Sequence, residues 1–450
     1  MKKTPTIVVV GILNTKGNEI KFLAEQVREA GGNPIIMEIS CGGEVGWADV
    51  PVSELISKAG YTKDEVFKSN RTKAMEIVAK GGIKKVEEML KEGKLDGIIA
   101  HGGSTSTFIG SKIMQSLPIG IPKIMSSTLA FGDCRPYVQG RDIAMFYPLV
   151  EEGLNKVTRR VLTNAAGMIV GASMAPSVKK EEIKPLIGCT ILGPVGPCTE
   201  RVSRYFETRG YDLIKLQAVG GGALLEELIR DGEIVGSLDI ATIEIAHLVC
   251  GAEAQPTPTR LTAAGEMGIP QVVSTGCLEY IGFEGSREMI IQRKLRSKIT
   301  GGLFEEEEKK FPGRAINAHT PFITEIGTLP IEAQKIAEDI IIKLNRAKGP
   351  TALVIPMRGW SKYDIISGPF WAGGDPINPN WSKRAVAFVE VVKKLVDKTN
   401  PNLDVLICDR HINEPEFADL LIKIFDEMLR GVWKKGMHRD ETKVEPYIPE

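Results

Sequence analysis

Residues 6–40 read TIVVVGILNTKGNEIKFLAEQVREAGGNPIIMEIS: an apolar run, a glycine-bearing loop, an amphipathic stretch and a second apolar run. That is the order strand, loop, helix, strand. Residues 186–219, LIGCTILGPVGPCTERVSRYFETRGYDLIKLQAV, give it again. The parallel continues in KKVEEMLKEGKLDGIIAHGG (84–103) and ALLEELIRDGEIVGSLDIAT (223–242), each a helix, a turn and a buried strand, and then in IPKIMSST (121–128) and IPQVVSTG (269–276). A repeat of this kind predicts an α/β fold made of two similar Rossmann-like parallel-sheet domains with a cleft between them. Open parallel sheets bind ligands beyond the carboxyl ends of their strands, so function is expected in the strand-to-helix loops and in that cleft.

The first domain is expected over residues 1–178, where the charged, proline-ended SVKKEEIKP supplies a linker at 179–185. The second is expected over 186–430, followed by a polar tail at 431–450 read as an arm or disordered end. Residues 41–80 have no counterpart in the second half and are expected to add short helices beside the loops of the first sheet. In the second half an excursion near 281–312 carries the run Glu305–Glu308, read as a solvated helix face. A helix is expected near Pro415, with Asn413 as its cap.

Composition excludes several classes. Lys+Arg and Asp+Glu both total 57, so no net positive field draws the chain to nucleic acid or an anionic membrane. The longest weakly polar stretch, VLTNAAGMIVGASMAP, is too short to span a bilayer, and the start of the chain does not read as a signal peptide. Seven cysteines with no C-x-x-C pair fit a reduced cytoplasm better than a disulfide scaffold or a zinc site. No metal-ligand spacing is present.

Three loops of the first domain suit a phosphate. In GILNTKGNE, Asn14, Thr15 and Lys16 fall beside the start of a helix, whose free N–H groups and partial positive charge favour an anion. The plainer reading is a capped turn with a surface lysine. In HGGSTSTFIGSKIM, Gly102 and Gly103 allow close backbone approach, and Ser104, Thr105, Ser106 and Thr107 place four hydroxyls at the next helix start. Capping alone needs fewer. The third loop, SSTLAFGDCRPYVQGRDIAM, adds Ser126, Ser127 and Thr128; its Asp133 is a candidate ligand for a magnesium ion bridging phosphates, or else a turn residue. Neither G-x-x-x-x-G-K-[ST] nor a G-x-G-x-x-G after the first strand occurs, so the residues support phosphate without identifying adenine.

Seven segments in consistent order, GILNTKGNE, LDGIIAHGGSTST, IPKIMSSTLAFGD, LNKVTRRVLTNAAG, IPQVVSTGCLEYIGF, IPMRG and DRHINEPEFA, resemble the uncharacterised bacterial and archaeal family related to the ATP-binding region of the tomato mosaic virus resistance protein. The resemblance implies a two-subdomain α/β protein that binds ATP and associates as a homodimer, the plant relative acting as an inhibitor of viral replication. The family's threonine-lysine pair falls on Thr15 and Lys16, and its glycine-serine loop on Gly102, Gly103 and Ser104. Two positions depart: Asn14 replaces an aspartate, and Thr105, Ser106 and Thr107 replace a glycine-rich stretch, which bears on ATP specificity more than on phosphate binding. The plant protein's appended barrel domain has no counterpart in these 450 residues.

The second domain has a separate constellation after its strands: Asp239, Thr242 and Glu244, then Arg358, then Asp409, His411 and Asn413, with His319 a further candidate. Glu244, Arg358 and His411 are the expected catalytic set: an anchor for an anionic substrate plus a proton-transfer pair. His247, on the apolar EIAHLV, reads as a core histidine. SGPFWAGGDP is a lid or a packed loop. Two functions stay open: an ATP-binding enzyme acting on a small anionic metabolite, or a nucleotide-sensing protein without turnover.

Overall fold

The computed structural model describes residues 4–175 and 184–439. The chain divides into two compact units, Met1–Glu181 and Glu182–Glu450. The linker expected at 179–185 lies outside the described residues except for 184 and 185, and so does the tail beyond 439.

In the first unit five parallel strands, β1 (Thr6–Gly11), β2 (Asn33–Glu38), β3 (Gly97–Gly102), β4 (Lys123–Ser127) and β5 (Ile143–Phe146), pair in the order β2-β1-β3-β4-β5. The unbroken apolar run of β1 follows from burial on both faces. Ile7 and Val9 pack with helices Leu13–Glu29 and Lys156–Ser173, while Val8 and Val10 pack with Val52–Ala59, Arg71–Lys91 and Ser104–Gln115. The inserted segment forms helices Val52–Ala59, Lys63–Phe67 and the first turns of Arg71–Lys91. That last helix continues through Gly81 and Gly82, and a side chain at Gly81 would strike the Leu55 carbonyl of helix Val52–Ala59, so glycine there lets the two helices pack closely.

The second unit repeats the plan. Strands β6 (Leu186–Ile191), β7 (Asp212–Gln217), β8 (Ile234–Ala241) and β9 (Gln271–Gly276) stand in the order β7-β6-β8-β9, as β2-β1-β3-β4 do in the first. Between β9 and the next sheet strand the chain leaves to build a three-stranded antiparallel sheet, β10 (Tyr280–Glu284), β11 (Ile316–Thr320) and β12 (Ile323–Gly327), in the order β10-β12-β11. It returns as β13 (Thr351–Pro356) and β14 (Leu403–Cys408), which extend the large sheet beyond β9. Two similar Rossmann-like units are therefore the architecture, as the internal repeat requires.

Several local expectations change. The acidic run is not a uniformly solvated face: in helix Phe304–Lys310, Glu307 turns inward to Arg314, and Glu308 pairs with Arg287 and accepts from the Ile316 N–H. Pro415 does open helix Pro415–Leu429, but Glu414 precedes it as cap residue and Asn413 donates instead to the Pro194 carbonyl. SGPFWAGGDP is packed, with Phe370 fully buried and stacked on Tyr280 at 5.2 Å. The described part of the tail is tied down, since His438 is buried against Glu427 and the Gly436 N–H donates to Asp404. Among the described residues no helix is long and apolar enough to cross a membrane. All seven cysteines are free.

Candidate functional site

In the first sheet β1 sits between β2 and β3, so the loops leaving β1 and β3 diverge to opposite faces. That reversal is where parallel α/β sheets open a crevice at their carboxyl edge. Two of the three loops singled out in the sequence are these.

Helix Ser104–Gln115 starts directly from β3, with extended Gly103 (φ −88°, ψ −155°) as cap residue and no side-chain cap. The two threonine hydroxyls are engaged elsewhere. Thr105 Oγ1 accepts from the Arg71 guanidinium, and Thr107 Oγ1 bonds the Gly103 carbonyl at 2.8 Å and lies 2.6 Å from Ser127 Oγ. Ser106 packs against Gly102, and Ser104 is exposed. The capping explanation for the four hydroxyls thus does not describe this turn, and no side chain caps the first-turn amides, which carry the positive end of the helix dipole.

Lys16 is buried, at a break (φ −119°, ψ 23°) inside helix Leu13–Glu29. The single turn ahead of the break holds exposed Asn14 and Thr15, and the Leu13 N–H is taken by Ser40 Oγ at 3.1 Å. The Lys16 ammonium donates to the Glu151 carbonyl. Glu151 belongs to a strap after β5 whose Gly153 N–H donates to buried Glu19 at 2.8 Å. The Glu151 carboxylate also reaches the glycine loop: a methyl group on Gly103 would stand 3.0 Å from Glu151 Oε1 and 3.7 Å from Thr128 Oγ1. Loops after β1, β3, β4 and β5 therefore meet at one point, with an anionic group already beside the uncapped helix.

Behind this point buried His101 lies 3.0 Å from Ser126 Oγ through Nδ1. Burial first, and the Lys16 charge second, hold its pKa down at about 4, so the ring stays neutral. Asp133 departs from expectation. Arg135 binds both of its carboxylate oxygens, at 2.7 and 2.9 Å, and keeps its pKa low, so in this structure Asp133 is engaged as a turn residue. Sequence reading missed Arg71, Glu151, Glu19 and His101. Only the inserted segment signalled that something would border the loops; it delivers Arg71.

In the second unit β13 and β14 are neighbours, and their following loops join through the Arg358 N–H to the Arg410 carbonyl and the Ile412 N–H to the Gly359 carbonyl. Arg358, about one-third exposed, forks onto Asp409 at 2.8 and 2.9 Å, and Trp381 Nε1 donates to the same carboxylate at 2.8 Å. The Arg358 hydrogen bond first, with a smaller part from Trp381, holds the Asp409 pKa low. His411 is fixed on both sides: Nδ1 accepts from the Asn413 N–H at 3.2 Å, which leaves Nε2–H to donate to the Ser361 carbonyl at 3.0 Å. A ring so held orients two loops and has no nitrogen free to move a proton.

Glu244 does not join Arg358 and His411 in any hydrogen bond. It is buried two strands away along the sheet order, at the helix after β8, where it accepts from the Gly220 N–H at 2.7 Å and Arg260 Nε at 3.0 Å. Arg260 also binds Asp239 and Glu226, all of them buried. The expected three-residue set is thus divided because a second guanidinium, buried Arg260, lies sixteen residues downstream of Glu244 and captures it. His319 stands apart as well, on β11 beside Glu325 at 3.3 Å. His247 is the core histidine it was read to be, buried with Nε2 accepting from the Gly282 N–H.

Comparison with known proteins matches residues 5–178 to the N-terminal domain of the Uncharacterised protein family (UPF0261) and residues 184–429 to its C-terminal domain. A UPF0261 protein of Clostridium tetani (strain Massachusetts / E88) is 34% identical over 429 residues, 94% of this chain and 98% of that one. The ToMV resistance protein Tm-1(GCR237) of Solanum lycopersicum is 30% identical over 451 residues, and the alignment spans 94% of this chain but 56% of the plant protein. Among solved structures, a UDP-N-acetylglucosamine 2-epimerase from Rickettsia bellii covers 60% of this chain and 79% of its own, at 13% identity and a TM-score of 0.20, too loose a superposition to carry an argument. With both of its domain models matched in order along one chain, and the bacterial relative aligned nearly end to end, this protein belongs to the UPF0261 family.

Proposed function

We propose that the chain is an ATP-binding protein whose first unit seats the triphosphate at the carboxyl ends of β1 and β3. The observation that carries this reading is the uncapped start of helix Ser104–Gln115 at the sheet's reversal point, beside the buried Lys16 ammonium. Arg71 and Thr128 border the same point, and the Glu151 carboxylate occupies the place a phosphate oxygen would take. A bound nucleotide would exchange the Glu151 carbonyl on Lys16 for phosphate. ATP supplies the triphosphate charge; the chain's own residues orient and desolvate it. The family resemblance further supports a homodimer and the free cysteines a reducing cytoplasm; a light-scattering mass near one 49.1 kDa chain counts against the dimer.

Calorimetric titration with ATP tests it. Lys16→Ala is expected to weaken binding about ten- to a hundredfold, the value of one charge-assisted hydrogen bond. Gly103→Val should keep the fold, since its φ of −88° accepts a side chain and only the ends of Glu151 and Thr128 lie near, yet the added methyls block the loop. Equal ATP affinity in wild type and Gly103→Val would refute the placement.

A second reading, an enzyme acting on a small anionic metabolite, is favoured by Arg358, whose forked guanidinium is part-exposed where two adjacent strand-end loops meet. An anionic ligand would compete with Asp409 for it. Arg358→Ala is then expected to abolish the thermal shifts given by carboxylate or phosphate metabolites while leaving ATP affinity unchanged. If it abolishes none of them, the nucleotide-sensing reading without turnover is the one that stands.

A further inference from the structure

The first unit carries an exposed aromatic pair that the phosphate chemistry does not use. Phe131 is 75% and Tyr147 42% exposed, with ring centroids 6.1 Å apart and planes tilted by 54°. Leu149 beside Tyr147 in sequence is 60% exposed and has a left-handed backbone, φ 66°. Large apolar side chains left in water next to one another point to a ligand or partner that covers them.

Two chain segments join this pair to the anionic seat. The short 3-10 turn Thr128–Phe131 begins at Thr128, whose hydroxyl borders Gly103, and ends on Phe131. At roughly 2 Å of rise per residue, that turn sets Phe131 about 6 Å from Thr128. The strap after β5 runs from Tyr147 to Glu151, which touches both Lys16 and the Gly103 loop. All these loops leave the carboxyl edge of one parallel sheet, with β5 two strand spacings from β3, about 10 Å. One end of the platform is thus an anion seat and the other an aromatic face, separated by the span a ribose bridges between a base and its phosphates.

We infer that Phe131 and Tyr147 form the nucleobase seat of the first unit, the base stacking on the open face of Phe131 with Tyr147 as its side wall. The inference rests on the ATP-binding reading and adds to it the recognition of the base. Neither ring offers a hydrogen-bonding pattern matched to one base edge, so the seat accepts purines by stacking strength more than by identity.

Titration of the full chain with ATP, GTP and inorganic tripolyphosphate tests the seat. Wild type is expected to bind ATP and GTP within a few-fold of each other, and both about ten- to a hundredfold tighter than tripolyphosphate. Phe131→Ala should erase that advantage and leave tripolyphosphate affinity unchanged; Tyr147→Ala should erase part of it. Lys16→Ala should weaken all three ligands alike. Unchanged ATP affinity in Phe131→Ala, with tripolyphosphate still bound, would overturn the base seat and leave the triphosphate reading intact. A halved light-scattering mass in that variant with unchanged ATP affinity would assign the aromatics to contact between copies and equally overturn it. Wild type that binds neither ATP nor tripolyphosphate would remove both proposals together.

Discussion

Replacing Arg260 with methionine is expected to destabilise the second unit by about 3–5 kcal/mol at neutral pH, a large fraction of the stability of an ordinary folded unit. The guanidinium is almost fully buried and serves Asp239, Glu244 and Glu226, which are buried too. Burial opposes its charge, but the three carboxylates outweigh burial and raise its pKa, Asp239 most. Once the cation is gone, three carboxylates face one another without water, and each must remain ionised at a desolvation penalty or take up a proton. Burial already raises the pKa of Glu226 and Glu244 with Arg260 in place.

The sign of the pH response follows. In the variant the folded state holds protons that the unfolded chain releases above the usual carboxylate range, so the loss should shrink as pH falls toward 4.5 and grow as it rises to 8. Chemical denaturation of the whole chain, followed across that range, measures it. Neutralising two partners as well, in Arg260→Met with Asp239→Asn and Glu244→Gln, should recover part of the stability. As a control, Arg230→Met removes a more exposed arginine from the same helix-end cluster and should cost no more than about 1 kcal/mol. An Arg260→Met variant within 1 kcal/mol of wild type at every pH would show that the cluster is not held by its guanidinium.

The same cluster explains why one part of the second unit was legible in the sequence and another was not. The positions of the strands, the repeat and the glycine-bearing turns after β1 and β3 follow from local signals: apolar runs buried on both faces, and glycines where strands meet helices. Those signals are contained within segments of about thirty residues, so they survive without knowledge of the fold. Charge partners are not local. Glu244 and Arg260 stand sixteen residues apart, Arg71 reaches Thr105 across 34, and Lys16 meets Glu151 across 135. Nothing in the acidic string Glu305–Glu308 distinguishes Glu307, which is buried on Arg314, from its exposed neighbour Glu306. His411, set between charged residues after a strand, had the sequence context of a proton-transfer group. What decides its chemistry is a pair of backbone groups, one from the Ser361 loop fifty residues away.

Glu279 should give the second large effect, of opposite sign. Its side chain is fully buried; one oxygen accepts from Ser361 Oγ, and the other has no hydrogen-bond partner among the described residues. Burial, and then the neighbouring Asp364 carboxylate, push its pKa up to about 8, while Asp364, itself raised by burial, keeps Arg384 at 2.9 Å. Glu279 is therefore protonated in the folded chain at a pH where the unfolded chain has already lost that proton. Between the unfolded value of 4.5 and the folded value of about 8, the folded state binds more protons, so stability falls as pH rises, by about 1.4 kcal/mol per pH unit in the middle of the window. Glu279→Gln keeps the shape and the bond to Ser361 but cannot ionise. We expect the variant to match wild type near pH 5 and to exceed it by a few kcal/mol at pH 8, with any slope that remains belonging to other buried carboxylates, Asp364, Glu226 and Glu244 among them. Denaturation midpoints at half-unit steps from pH 5 to 8 measure both curves. Parallel profiles for the two proteins would mean that Glu279 is ionised in the folded state after all, and that its second oxygen has a partner, such as an internal water, which satisfies the charge.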